Sequence, residues 1–159
     1  SKIGRIVYIG AVESFNDLNA LMRQFKVSRA VIDALPETRK AREFAEQHQG
    51  KVYLCYYQMN QKSGYGWNEK ALTVSANRTE ALDASHTELA QGNVDLPAIS
   101  DTLRKFAGHC ANVARVLQTD PETGSSRYVY LKTGEDHYRH AQSYECMARN
   151  YGAGGFFDF

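Results

Sequence analysis

The chain has 159 residues, 43% of them hydrophobic and 23% charged, which is typical of one globular domain with a core of its own. Its net charge of +1 excludes a global basic field, so any nucleic acid would have to bind a local patch. Three widely spaced cysteines without a CxxC pair argue against a disulfide framework or structural zinc site and favour a reducing compartment. No signal peptide and no apolar run of about 18 residues occurs, so we expect neither export nor a membrane span.

Strand and helix patterns alternate through the first half of the chain. Continuous apolar runs predict strands, and apolar residues three to four apart predict helices. The predicted elements are a strand at 3–11, a helix at 15–25 capped by Ser14 or Asn16, a buried strand at 29–33, a helix at 37–48 with Pro36 at its first position, and a buried strand at 51–57.

The second half adds shorter elements and a hairpin. Residues 58–67 are polar and contain glycine, which predicts a loop. The further predictions are a strand at 71–76, a helix at 78–91 capped by Asn77, an extended piece at 94–96, a helix at 100–112, a hairpin of 113–118 and 127–132 around a turn at 120–124, and a helix from Asp136 to about Asn150. We therefore predict an α/β fold with a central mixed sheet in one domain, residues 1–150, followed by a flexible glycine-rich tail, residues 151–159.

The helix that follows Gly134 opens on an acidic residue, Asp136. Its carboxylate has two interpretations. It can cap the helix by accepting hydrogen bonds from the free amides of the first turn, a place that also suits a negative charge. Alternatively, it can be a metal ligand at the mouth of the sheet.

A second acidic residue, Asp33, follows the buried run Ala30–Ile32 at the carboxyl end of a predicted central strand. In open α/β sheets, sites form at the carboxyl ends of strands. Asp33 could also simply begin the turn and cap the helix after Pro36. If Asp33 and Asp136 converge, they could hold two magnesium ions about 4 Å apart, which clamp the attacking and leaving oxygens of a phosphodiester.

Three segments occur in an order that resembles a known family. They are VIDALPET at 31–38, NRTEALD at 77–83 and TGEDHYRHA at 133–141, the last being the most specific. Together they resemble the C-terminal nuclease domain of tailed-phage terminase large subunits, over most of residues 5–150. The resemblance implies a ribonuclease H-like fold that cuts double-stranded concatemeric DNA during packaging, with two Mg²⁺ or Mn²⁺ ions held by three acids. Asp33 and Asp136 then correspond to two of those acids.

The third acid of that family lies on the first strand of its sheet, and here the chain departs from the pattern. The strand-like segment 5–11 carries no Asp or Glu, and it resembles a later strand of the family. The catalytic first strand is therefore expected to be absent, which would leave an exposed sheet edge and an incomplete, inactive site. Glu13 is the nearest acidic substitute, but it lies in the turn after its strand. No GxxxxGK[ST] motif occurs, so we expect no ATP to bind through a P-loop.

Several other side chains are candidates for supporting roles. Asp83 could approach the acids as a further metal ligand, although a solvated helix face is the simpler interpretation. His137 and His140 could hold a phosphate, assist proton transfer or form a zinc site with Asp136, or they could lie on the surface. Five basic residues could contact DNA phosphates or could simply be solvated: Lys62, Lys70, Arg78, Arg127 and Lys132.

Two main functions follow. The first is a metal-dependent endodeoxyribonuclease of low sequence preference, whose partners are double-stranded DNA and, through its parent protein, the phage portal and the small terminase subunit. The second is a non-catalytic module that docks on DNA or the portal. A different ribonuclease H-like enzyme, such as a junction resolvase, is a third. For the packaging protein, the expected location is the cytoplasm of the bacterial host.

Overall fold

A computed structural model of the chain describes residues 1–151. Its strands and helices follow the predicted order closely. The elements are β1 (Gly4–Arg5), α1 (Phe15–Gln24), β2 (Ala30–Asp33), α2 (Thr38–Gln47), β3 (Val52–Tyr57), β4 (Tyr65–Asn68), β5 (Thr73–Ala76), α3 (Arg78–Ala90), β6 (Val94–Asp95), α4 (Asp101–Ala111), β7 (Val113–Thr119), β8 (Ser126–Lys132) and α5 (His137–Arg149).

The main sheet has four strands in the order β2-β3-β5-β4. The first three strands are parallel, and β4 runs antiparallel to β5. This confirms the predicted α/β class with a mixed sheet. The predicted central position of the Asp33 strand is wrong for the described residues: within 1–151, β2 pairs with β3 alone and lies at an edge of the sheet.

Helices cover both faces of this sheet, because its strands carry apolar residues on both sides. On one face, Val31, Tyr53 and Val74 pack with residues of α3 and α5. On the other face, Val52 and Leu54 pack with Phe44 of α2 and with residues of α1. The outcome is a three-layer domain in which α5 lies directly against the edge strand β2.

The predicted caps of two helices are confirmed. The Ser14 hydroxyl accepts a hydrogen bond from the Asp17 amide, and the Asp17 carboxylate accepts one from the Ser14 amide. The two bonds make a capping box at α1. The Asn77 side chain accepts from the Glu80 amide at the start of α3. These local bonds fix where the two helices begin.

The start of α2 corrects a prediction. The helix begins at Thr38, and Pro36 precedes its N-cap residue Glu37 rather than occupying the first helical position. The Asp33 carboxylate accepts a hydrogen bond from the Leu35 amide at 2.9 Å. This turn precedes Pro36, and the helix therefore begins two residues later than the proline predicts.

Two strand predictions are also corrected. The predicted loop 58–67 contains the start of β4, whose alternation of Tyr65 and Trp67 with Gly66 is too short to stand out in the sequence. The predicted strand 3–11 shrinks to β1, which pairs in parallel with β6 outside the main sheet. Its apolar run does not enter the core: Val7 is 68% exposed and Tyr8 is 46% exposed.

The predicted hairpin is confirmed as β7 and β8, which pair from Val113–Lys132 to Thr119–Ser126. Most of the predicted tail lies outside the described residues. Its first residue, Tyr151, packs against Arg29, whose guanidinium carbon is 3.4 Å from the ring centre. Among residues 1–151, none of the helices combines the length and the apolar character needed to cross a bilayer.

Candidate active site

Asp33 stands where the sequence predicts it, exposed at the carboxyl end of β2. Because β2, β3 and β5 are parallel, their carboxyl ends lie side by side at one end of the sheet, which we call its carboxyl edge. Tyr57 ends β3 at this edge, and Arg78 opens α3 directly after β5. The Asp33 side chain holds the turn to Leu35 and does not cap α2, whose N-cap Glu37 makes no side-chain cap bond.

Asp136 occupies the N-cap position of α5, but its carboxylate does not cap the helix. The side chain is only 7% exposed. Its Oδ1 lies 3.2 Å from Lys132 Nζ, and its Oδ2 lies 3.3 Å from His140 Nε2. The capping interpretation is therefore wrong for the side chain, and the carboxylate contacts Lys132 and His140 instead.

The helix is capped from another element. His109, buried at the end of α4, accepts a hydrogen bond from the Tyr138 amide through its Nδ1 at 3.2 Å. The Asn112 side chain donates to the Glu135 carbonyl at 2.9 Å. Because α4 supplies these bonds, the Asp136 carboxylate is free to bind Lys132 and His140.

His140 contacts one of the two predicted acids, Asp136, and its pKa responds to the charges of both. Burial lowers the pKa of His140, and the nearby charge of Arg78 adds to this effect, whereas Asp136 and Asp33 both act to raise it. Asp136 contacts the imidazole directly, whereas Asp33 acts on it only through its charge. Burial works against ionisation of Asp136, but Lys132 and His140 outweigh it and hold the pKa of Asp136 below its ordinary value. Near neutral pH, the site therefore holds an ionised Asp136 beside a neutral His140.

Two tyrosines that sequence reasoning missed form a wall of the site. The Tyr57 hydroxyl lies 3.4 Å from His140 Nδ1, and its ring stacks on Tyr144 with the centroids 6.0 Å apart. Burial raises the pKa of both phenols far above the ordinary range, and Asp33 contributes at Tyr144. Both hydroxyls stay protonated. Two sequence features could have indicated these tyrosines: Tyr57 stands at the end of a predicted strand, and Tyr144 follows His140 by four residues on the same helix.

Asp83 and His137 are placed away from this cluster of contacts. Asp83 accepts a hydrogen bond from the Tyr130 hydroxyl at 2.6 Å and pairs with Arg115, whose Nε is 3.1 Å away. The Asp83 carboxylate therefore links α3 to the hairpin. His137 is exposed, with its ring centre 6.1 Å from that of His109. Of the two predicted histidines, His140 is the one that contacts Asp136.

The five basic candidates divide into two groups. Lys132 contacts Asp136, and Arg78 reaches across to donate to the Tyr130 carbonyl at 2.9 Å. Lys62 is exposed in the loop beside the start of α3, since the carbonyl of its neighbour Gln61 accepts from Asn77.

The other two basic candidates lie elsewhere. Lys70 stands in the turn before β5, at the opposite end of that strand from Arg78. Arg127 lies near the tip of the hairpin, where its charge acts on Asp120. Three of the five candidates are therefore at the carboxyl edge of the sheet.

The donor set suits a hard divalent cation only in part. Asp33 and Asp136 offer carboxylate oxygens, which Mg²⁺ and Mn²⁺ prefer. Within residues 1–151, no group of three or more His, Cys, Asp or Glu side chains is arranged to hold a metal ion. Glu13 is exposed in the segment before α1. Asp33 and Asp136 are thus two candidate carboxylate ligands, and the described residues add no third donor to them.

Comparisons with known proteins leave the family of this chain open. No protein-family model, no curated protein and no solved structure matches it. Functional inference therefore depends on the geometry at the carboxyl edge of the sheet.

Proposed function

We propose that this chain is the metal-dependent endonuclease domain of a phage DNA-packaging terminase, with a ribonuclease H-like fold. The observation that supports the proposal is a pair of carboxylates whose charges both act on His140: Asp136 at the start of α5, which contacts that ring, and Asp33 at the carboxyl end of β2. Asp136 is buried and does not cap its helix, which leaves its carboxylate available for a functional role, whereas Asp33 also holds the turn to Leu35. Cleavage of double-stranded DNA in the host cytoplasm would be its task.

In this proposal Asp33 and Asp136 hold the Mg²⁺ or Mn²⁺ ions. When bound, these ions would supply an activated water and stabilise charge on the phosphodiester. His140 and Tyr57 fix the Asp136 carboxylate: the Nε2–H of the neutral ring donates to Asp136, and Nδ1 accepts from the Tyr57 hydroxyl. Lys132 and Arg78 provide positive charge for DNA phosphates. Phosphate contacts carry no base information, so sequence preference is low.

Mn²⁺ binding and supercoiled-plasmid cleavage test the proposal with Asp33→Asn, Asp136→Asn and the unchanged chain. Each substitution removes one anionic ligand while keeping the size of the side chain. We expect both variants to weaken Mn²⁺ binding by at least about tenfold, and any cleavage activity to disappear with either. The resemblance further implies that full activity needs a third acid, so a chain extended by the family's first strand would cut faster.

Asp101→Asn is the matched control. Asp101 is fully exposed in the first turn of α4 and pairs only with Arg104 among the described side chains, so this variant changes the net charge equally. It should leave Mn²⁺ binding unchanged. If Asp101→Asn and Asp136→Asn behave alike, the nuclease proposal fails.

A second function, a non-catalytic module that docks on DNA or on the portal, is favoured by two observations. The described part of the chain arranges no third acid with Asp33 and Asp136, and Lys132 already neutralises Asp136. Such a module would bind DNA through phosphates with a steep salt dependence but with no effect of metal. Binding of a linear duplex measured with Mn²⁺ and with a chelator separates the two functions.

A further inference from the structure

Lys132 has an unusual position for a residue predicted only to contact DNA. It ends β8, four residues before Asp136, and its Nζ lies 3.2 Å from Asp136 Oδ1. The carboxylate is 7% exposed, whereas the Lys132 side chain is 55% exposed. The buried Asp136 carboxylate is thus neutralised by the ammonium group of a long side chain, Lys132, that is half exposed to solvent.

The other oxygen of Asp136 has a different kind of partner. His140 Nε2 lies 3.3 Å from Oδ2, and the His140 side chain is only 20% exposed. Its ring is held from behind by the Tyr57 hydroxyl and packs near Tyr144. His140 is therefore a fixed partner, and Lys132 is the partner that can leave without disturbing the packed interior.

Electrostatics makes Lys132 and a divalent cation competitors. Both are positive, both are attracted to the same Asp136 oxygen, and neither gains from sharing it with the other. Asp33 pairs with no Lys or Arg among the described residues, whereas Lys132 is the basic group that a cation would meet at Asp136. Arg78 is turned towards the Tyr130 carbonyl instead.

We propose that Lys132 is a built-in counter-ion, which holds the place of a divalent cation on Asp136 and moves away when that cation binds. The inference rests on the proposed metal site. It gives Lys132 a positioning role in two states: it neutralises Asp136 before metal binds, and afterwards it offers its ammonium group to the solvent side, where a DNA phosphate would lie.

The test is Mn²⁺ binding by isothermal titration calorimetry, with Lys132→Met and Lys132→Arg. Removing the ammonium removes the competitor, so Lys132→Met should bind Mn²⁺ about three- to fivefold more tightly, the size that a half-exposed ion pair allows. Lys132→Arg keeps the charge and should bind as the unchanged chain does. An equal affinity in all three proteins would overturn the proposal.

Arg127→Met is the matched control, because Arg127 lies on the same strand and the net charge changes equally, but near the far end of the hairpin. If Arg127→Met tightens Mn²⁺ binding as much as Lys132→Met, the effect is a general field and the counter-ion role is refuted. Circular dichroism spectra show whether each variant is folded, and Lys132→Gln provides a second neutral side chain.

Asp136→Asn separates this inference from the proposed function. If the unchanged chain binds Mn²⁺, Asp136→Asn abolishes binding and Lys132→Met binds no more tightly, the metal site stands and the counter-ion role fails. If Asp136→Asn binds as the unchanged chain does, or if neither the unchanged chain nor Lys132→Met binds Mn²⁺, both proposals fail.

Discussion

At the scale of single residues, burial determines which groups at the candidate site carry charge. His140 lies against packed tyrosines, and its ring pays a desolvation cost on protonation that Asp136 offsets only in part. Tyr57 keeps its proton for the same reason. Asp136 and the Tyr57 hydroxyl contact the His140 ring, and the charges of Arg78 and Asp33 act on its pKa from further away. The protonation states of His140 and Tyr57 are therefore set by the side chains packed around them.

The lowered pKa of His140 predicts how stability depends on pH. The unfolded chain, with the ordinary His pKa of 6.5, binds the proton more readily than the folded chain, so this residue destabilises the fold as pH falls below 6.5. We expect His140→Gln to lose less unfolding free energy than the unchanged chain between pH 7.5 and 5.5, as measured by urea denaturation. Asp136 contributes only at more acidic pH, because its pKa is lowered from 3.8.

His137→Gln provides the comparison for this prediction. His137 is exposed one turn earlier on the same helix. Its replacement should leave the pH dependence of the unchanged chain intact. Equal pH profiles for His140→Gln and the unchanged chain would show that His140 is not buried in a neutral form.

At the scale of elements, α4 positions the start of α5. His109 Nδ1 accepts from the Tyr138 amide, and its ring packs 4.8 Å from that of Tyr138. A Cβ atom on Gly134 would lie 2.7 Å from Asn112 Nδ2, so only glycine allows Asn112 to reach the Glu135 carbonyl undisturbed. The helix that carries Asp136 and His140 is thus oriented by a neighbour distant in sequence.

The cap from α4 predicts the effect of replacing His109. His109→Leu fills a similar volume but has no acceptor for the Tyr138 amide, so we expect it to destabilise the fold by about 1 kcal/mol, the usual value of a helix cap. Urea denaturation measures this change. The exposed His86 on α3 gives a control, since His86→Leu should alter stability by less than about 0.5 kcal/mol. A neutral result for His109→Leu would mean that water replaces the imidazole.

At the scale of the whole molecule, the sheet has an unpaired edge at β2 within the described residues. A cavity of about 400 Å³, largely apolar, lies along this edge between the N-terminal segment, α1 and α5. The edge also places Asp33 at the boundary of the domain rather than at its centre.

Hydrogen exchange can test the free edge of β2. The Ala30 amide donates to the Lys51 carbonyl just before β3, and the Ala34 amide donates to the Cys55 carbonyl within β3. In a parallel ladder only alternate residues face a given neighbour. The amides of Val31 and Asp33 therefore point away from β3. We expect them to exchange about tenfold or more faster than those of Ala30 and Ala34, measured by NMR. Equal protection of all four would show that this edge is covered.

The sequence alone predicted the α/β class, most elements and the caps Ser14 and Asn77, because periodicity and capping are local properties of the chain. It also predicted that Asp33 ends a strand and that Asp136 begins a helix. It missed β4, because the two alternating aromatic residues Tyr65 and Trp67 give too short a pattern.

Only the tertiary structure decided what these residues contact. Lys132 and His140 bind Asp136, Asp83 binds Arg115, and Tyr57 closes the site. Whether a carboxylate caps a helix or faces a site depends on what packs against it. For Asp136 the decisive neighbour is α4. Its His109 accepts a hydrogen bond from the Tyr138 amide, and His109 lies 29 positions earlier in the chain, so no local sequence pattern predicts this contact.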